Sequence, residues 1–130
     1  MIEIFNKNHK YIGFFDDKKC FNKKGHLIGH LEDSKVKDKK GHILLRMDKH
    51  NDIFFGNDQV GFILDSKIYY REYPTFVISK ERGEILNPEG KVLLVLKGDL
   101  KKIGDLEYFG ITTTFLESFW WKKVVVLAST

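Results

Sequence analysis

The sequence predicts an all-β chain in which four hairpin units of sixteen residues form a compact array, flower-like or barrel-like, with one short helical piece near the C-terminus. Three observations predict it. Columns of alike residues recur every sixteen positions from residue 9 to residue 72. Turn-forming residues punctuate that span about every eight positions, the rhythm of a sandwich, barrel or repetitive β array. Helical spacing is confined to the group Phe115, Leu116, Phe119 and Trp120.

Taking the elements in order, the repeat shows first at Gly13. Steps of sixteen lead to Gly29, Leu45 and Gly61, each preceded by an aliphatic residue: Ile12, Ile28, Leu44 and Val60. Four positions on lie Asp17, Asp33, Lys49 and Asp65, and twelve on lie Gly25, Gly41, Asn57 and Tyr73. Each copy reads as two short strands and two turns. Asp, Asn and Ser favour turns through local side-chain hydrogen bonds, and Gly and Asn tolerate positive φ. The third copy slips: Asp52 stands where Cys20, Val36 and Ile68 stand in the others, with apolar Ile53 one place later. A bulge or longer turn at Lys49-His50-Asn51, absorbed before Asn57, accounts for it.

Side chains alternate across a strand. The sets Tyr11/Gly13/Phe15, Leu27/Gly29/Leu31, Ile43/Leu45/Met47 and Gln59/Gly61/Ile63 are mostly apolar and are expected to face inward. The opposite face, with His30, Glu32, Arg46 and Asp48, is expected to be wetter. A glycine repeated inside strands marks close backbone approach or a kink; Leu45 departs from that rule.

The segments Tyr11-Ile12-Gly13-Phe14-Phe15, Gly25-His26-Leu27-Ile28-Gly29-His30-Leu31 and Gln59-Val60-Gly61-Phe62-Ile63 carry a resemblance. Over residues 3–72 the chain resembles the four-fold β-flower family of small bacterial proteins. The resemblance implies an all-β array of hairpins and assigns no catalytic residues.

Beyond Tyr73, Pro74 marks a strand edge or break, since proline cannot donate to a ladder. Strands are expected at Thr75–Ile78, Glu84–Leu86 and Lys91–Lys97, separated by turns at Glu81-Arg82-Gly83 and Asn87-Pro88-Glu89-Gly90. The third is apolar on both faces, as a central strand is. Thr112-Thr113-Thr114 and Val124-Val125-Val126 favour strand. We therefore expect a strand at Glu107–Thr114, a short helical or irregular piece, and a final strand at Lys122–Leu127. Residues 73–130 then complete a single domain, 1–130, of ordinary size.

Composition narrows the function classes. One cysteine, Cys20, excludes an intrachain disulfide and a CxxC metal site, and its apolar column suits a buried, inert thiol. No signal peptide is visible and no apolar run approaches the length of a membrane span, so a cytoplasmic protein is expected. Twenty-two basic and eighteen acidic residues leave a net charge of +4. The lysines sit in turns, where they discourage edge-to-edge aggregation. Acids interleaved at Asp16, Asp17, Asp33 and Asp38 argue against a nucleic-acid surface.

Catalytic chemistry finds no foothold. His26 and His42 share a repeat column, but His26 and His30 stand four apart on one strand, roughly 13 Å at strand rise. Zinc needs three or four converging ligands, so no metal and no cofactor is expected. The serines lack a nucleophile-elbow context, and the paired acids are turn residues. The chain is expected to be a non-catalytic binding or assembly module. One rival is a small-ligand carrier or enzyme with a pocket in the array near His26/His30 or Tyr69/Tyr70. Another is a membrane-surface protein using aromatics beside lysines. The candidate interaction surface is Phe115, Phe119, Trp120, Trp121, Lys122 and Lys123, serving an unknown protein partner or a symmetric homodimer.

Overall fold

The computed structural model describes residues 1–116. Twelve strands lie among them: β1 (Ile2–Asn6), β2 (Tyr11–Asp16), β3 (Lys19–Asn22), β4 (Leu27–Glu32), β5 (Lys35–Asp38), β6 (Ile43–Met47), β7 (Asp52–Phe55), β8 (Asp58–Leu64), β9 (Lys67–Tyr70), β10 (Tyr73–Ser79), β11 (Glu84–Leu86) and β12 (Val92–Gly98). A 3-10 turn at Leu100–Lys102 leads into the helix α1, Asp105–Phe115.

Each strand pairs antiparallel with its sequence neighbours, and β1 pairs with β12 from Ile2↔Gly98 to Asn6↔Leu94, closing a barrel with no free edge. Pro74 is accommodated at a register shift between Pro74 and Phe76.

Gly13 faces Asn22, Gly29 faces Asp38 and Gly61 faces Tyr70. At each glycine a Cβ would crowd the carbonyl oxygen just before that partner: Phe21 O, Lys37 O or Tyr69 O. At Leu45 the ladder differs: β6 and β7 pair only from Arg46 onward, so Leu45 has no ladder partner on β7. The slip in the third copy has a simple form. Its first turn has four residues, 48–51, where the others have two, and its second has two, 56–57, where the preceding units have four.

Two turn designs alternate. Asp17-Lys18, Asp33-Ser34 and Asp65-Ser66 have positive φ at both positions, the geometry that matches strand twist in a tight hairpin. At the other end Asn22 Oδ1 accepts the amides of Lys24 and His26, while Gly25, at φ +83°, donates to the Asn22 carbonyl. Asp38 repeats this with Lys40, His42 and Gly41, and Asn6 with Asn8, Lys10 and His9. Because neighbouring strands run antiparallel, connections sort by end. The turns after β2, β4, β6, β8 and β10 lie at one end; those after β1, β3, β5, β7, β9 and β11 lie at the other.

A helix, not a strand, occupies 105–115, overturning the strand expected at Glu107–Thr114. Six consecutive residues, Tyr108–Thr113, are buried. At 3.6 residues per turn such a run covers the whole circumference, so α1 is enclosed on every side. Its neighbours are the inward faces of strands: Gly110 lies against Leu31, Thr114 against Gly29 and Cys20, and Phe115 against Gly13. The helix runs inside the barrel. Eight strands leave an interior that side chains fill, and twelve leave more; α1 takes that space together with Ile4, Leu45, Ile53, Ile68, Ile85, Leu94 and Leu96, each at most 2% exposed. Three threonines favour strand in isolation, but enclosure overrides so weak a preference.

Entry is fixed at the tight-turn end. Gly104 N–H donates to Glu107 Oε1 at 2.6 Å, and Asp105 and Glu107 put negative charge at the positive end of the helix dipole. Lys80 Nζ lies 2.8 Å from Asp105 Oδ1, and Asn51 Nδ2 donates to Asp105 Oδ2 at 3.4 Å.

Candidate functional site

Filling the lumen moves the search for a site to the outside. The barrel wall carries a side-chain pair across each of four hairpins. Phe14 stacks on Phe21 at 4.7 Å and Phe62 on Tyr69 at 4.6 Å. Arg46 sits 4.2 Å over Phe54, and in the second unit Lys37 Nζ reaches Glu32 at 3.1 Å. The Lys37 ammonium holds the Glu32 carboxyl below its usual range. These pairs satisfy one another and hold the wall.

The end opposite α1's entry differs in charge. Three neighbouring loops there, 6–10, 22–26 and 38–42, share the side-chain-capped turn. They carry Lys7, Lys10, Lys23, Lys24, Lys39 and Lys40, all exposed, with His9, His26 and His42. Asp38 is their one acid. Its Oδ1 accepts the Lys40 and His42 amides at 2.9 Å each, and its Oδ2 lies 3.1 Å from His42 Nδ1. Desolvation opposes this carboxylate's charge, but those hydrogen bonds outweigh it and hold its pKa down.

At the other end the segments 16–19, 32–35, 48–52, 64–67 and 80–83 hold eight acids, Asp16, Asp17, Glu32, Asp33, Asp48, Asp52, Asp65 and Glu81, against seven lysines and arginines. Acids that interleave with lysines along the sequence are thus separated from the rim by the length of the barrel. Adjacent rim loops stand two strand spacings apart, roughly 10 Å. They form a basic crescent over half the circumference.

A cleft of about 460 Å³ opens in this crescent between the first two loops. Lys10, Lys23, Lys24 and His26 line it with Asn6, Asn22, Tyr11 and Ile12, and no carboxylate lines it. The capping job done by Asn6 and Asn22 is done elsewhere by Asp38, Asp48 and Asn87. Asn and Asp both cap such turns, and with Asn at 6 and 22 the caps add no negative charge to the cleft. Tyr11 is held edge-on against Phe5, centroids 5.8 Å apart.

The residues singled out in the sequence fall as follows. Phe115 ends α1, its ring beside Gly13, partly buried against the core rather than displayed. Phe119, Trp120, Trp121, Lys122 and Lys123, and the strand expected at 122–127, lie outside the described residues. His26 and His30 do not converge: His26 is on the rim, and His30 is on the wall 3.6 Å from Glu32. Tyr69 and Tyr70 face opposite ways. Tyr69 is stacked outside, whereas Tyr70 is 1% exposed and burial holds its hydroxyl well above the usual phenol range. Cys20 is buried beside Thr114, and desolvation pushes its thiol up to about 12. No helix among the described residues is long and apolar enough to cross a membrane.

The rim was missed in the sequence because the first capped turn, at Asn6, lies outside the span where the glycine columns repeat. Its signal was available: Asn6, Asn22 and Asp38 are sixteen apart.

No family model, curated protein or solved structure matches the chain.

Proposed function

We propose that the chain is a non-catalytic binding module that presents its basic rim to an anionic partner. The observation that carries this reading is the gathering of six exposed lysines and three histidines on three adjacent loops with one acid. That acid is already bonded within its own turn. Concentrated charge of one sign attracts and orients a partner of the other. The occupied lumen counts against the carrier reading, which needs an enclosed chamber. The separation of His26 from His30, and of Tyr69 from Tyr70, removes the side-chain pairs that reading would use.

Two variants of equal net charge test it on phosphocellulose. One replaces Lys23, Lys24, Lys39 and Lys40 with Ser, and the other replaces Lys18, Lys19, Lys49 and Lys67 with Ser. The rim variant is expected to elute at clearly lower salt than the other. Equal elution would mean that net charge alone governs retention and that the rim is not a binding surface.

A further inference from the structure

Resting on that reading, we propose that the cleft between loops 6–10 and 22–26 binds a single strand of nucleic acid. Phosphates lie on Lys10, Lys23 and Lys24, and a base lies against Tyr11. Three features select this ligand among anions. The site is concave, whereas a bilayer offers a plane that does not reach into a cleft. An aromatic ring lines it beside the cations, the combination that binds single strands by stacking and charge without base-specific hydrogen bonds. Finally, the loop tips 7–9, 23–25 and 39–41 hold only Lys, Asn, His and Gly, with no apolar residue to insert into lipid.

The lysine pair Lys23-Lys24 recurs as Lys39-Lys40 one loop further, roughly 10 Å along the rim. A strand leaving the cleft meets that pair next. Duplex DNA, too wide for the cleft, reaches only the lysine tips and binds more weakly.

Neutral Asn at 6 and 22 supplies a test that spares the fold. Asp performs the same capping at 38 and 48, so Asn6→Asp with Asn22→Asp keeps both turns while adding two carboxylates to the cleft. The probe is a fluorescein-labelled oligothymidylate, read by anisotropy on the full chain over a series of salt concentrations. Wild type is expected to bind with log affinity falling linearly in log salt, at a slope of about −0.7 per phosphate engaged. Asn6→Asp with Asn22→Asp is expected to weaken binding on the order of tenfold with an unchanged melting temperature. Tyr11→Leu is expected to weaken it about fivefold or more without changing the salt slope.

Vesicles of phosphatidylcholine with phosphatidylserine form the second arm. Binding to vesicles but not to the oligonucleotide would overturn the nucleic-acid proposal and leave the anionic-partner reading standing. Binding to neither, with phosphocellulose elution equal for the two lysine variants, would overturn both. Oligonucleotide binding that ignores both Asn6→Asp with Asn22→Asp and Tyr11→Leu would place the strand elsewhere and overturn the cleft assignment.

Discussion

Gly110→Ala asks whether α1 is enclosed, because enclosure reverses the sign of its effect. In an exposed helix interior, Gly to Ala stabilises by about 1 kcal/mol. Here the new Cβ would lie 2.6 Å from Leu31 Cδ2, 2.9 Å from Cγ and 3.0 Å from Cδ1. Leu31 is 6% exposed on β4, and its Cγ as well as its methyl groups stands in the way. Overpacking of this kind costs about 1–3 kcal/mol, so a net loss on the order of 1 kcal/mol is expected. Leu31→Ala alone costs about 2–5 kcal/mol, and in its presence the obstruction is gone. Gly110→Ala should then stabilise by about 1 kcal/mol, which gives a coupling of about 2 kcal/mol across the double-mutant cycle. Urea unfolding followed by circular dichroism measures all four proteins. Gly110→Ala stabilising by about 1 kcal/mol in both backgrounds would show an unobstructed helix face and refute the packing described here.

Other outcomes follow from the same geometry. Gly13→Ala and Gly61→Ala, which drive a Cβ into backbone carbonyls, are expected to cost 3 kcal/mol or more, roughly the top of the overpacking range. Gly29→Ala, with contacts of 3.0 Å to Lys37 O and 3.2 Å to Thr114, should cost distinctly less; equal losses in urea titrations would contradict the ranking. Cys20 should resist iodoacetamide in the native protein at pH 8–9 and react only at the rate of unfolding; rapid native labelling at that pH would contradict its burial. Because the folded thiol is raised to about 12, the unfolded chain loses that proton first as pH rises from about 9. Stability should fall there by up to about 1.4 kcal/mol per pH unit, and a Cys20→Ala variant should lack that component.

Strand placement was legible from β2 to β12 because turn residues and alternating apolar residues mark the strands there. Even the slip at Lys49-His50-Asn51 is visible, since Asp52 breaks an apolar column. β1 was not read although Ile2-Glu3-Ile4 alternates in and out, because five residues ahead of the first repeat column give the pattern only one and a half periods. The helix was misread at Thr112-Thr113-Thr114, whose local preference for strand is real. It is overridden by twelve strands enclosing a space that only a further element can fill, a constraint no local window contains. The rim was hidden for a related reason. Lys18 and Asp17 are neighbours of Lys23 and Lys24 in sequence, but one strand, β3, carries them to opposite ends of the barrel.

Amide hydrogen exchange across α1 tests the central claim, that the barrel is filled by its own helix. The account predicts that the amides of Phe109–Thr113 exchange only through global unfolding, with a protection free energy equal to the unfolding free energy from urea titration. Exchange of these amides at a free energy several kcal/mol below the global value, while β4 and β12 stay protected, would show a lumen that opens on its own and contradict the claim.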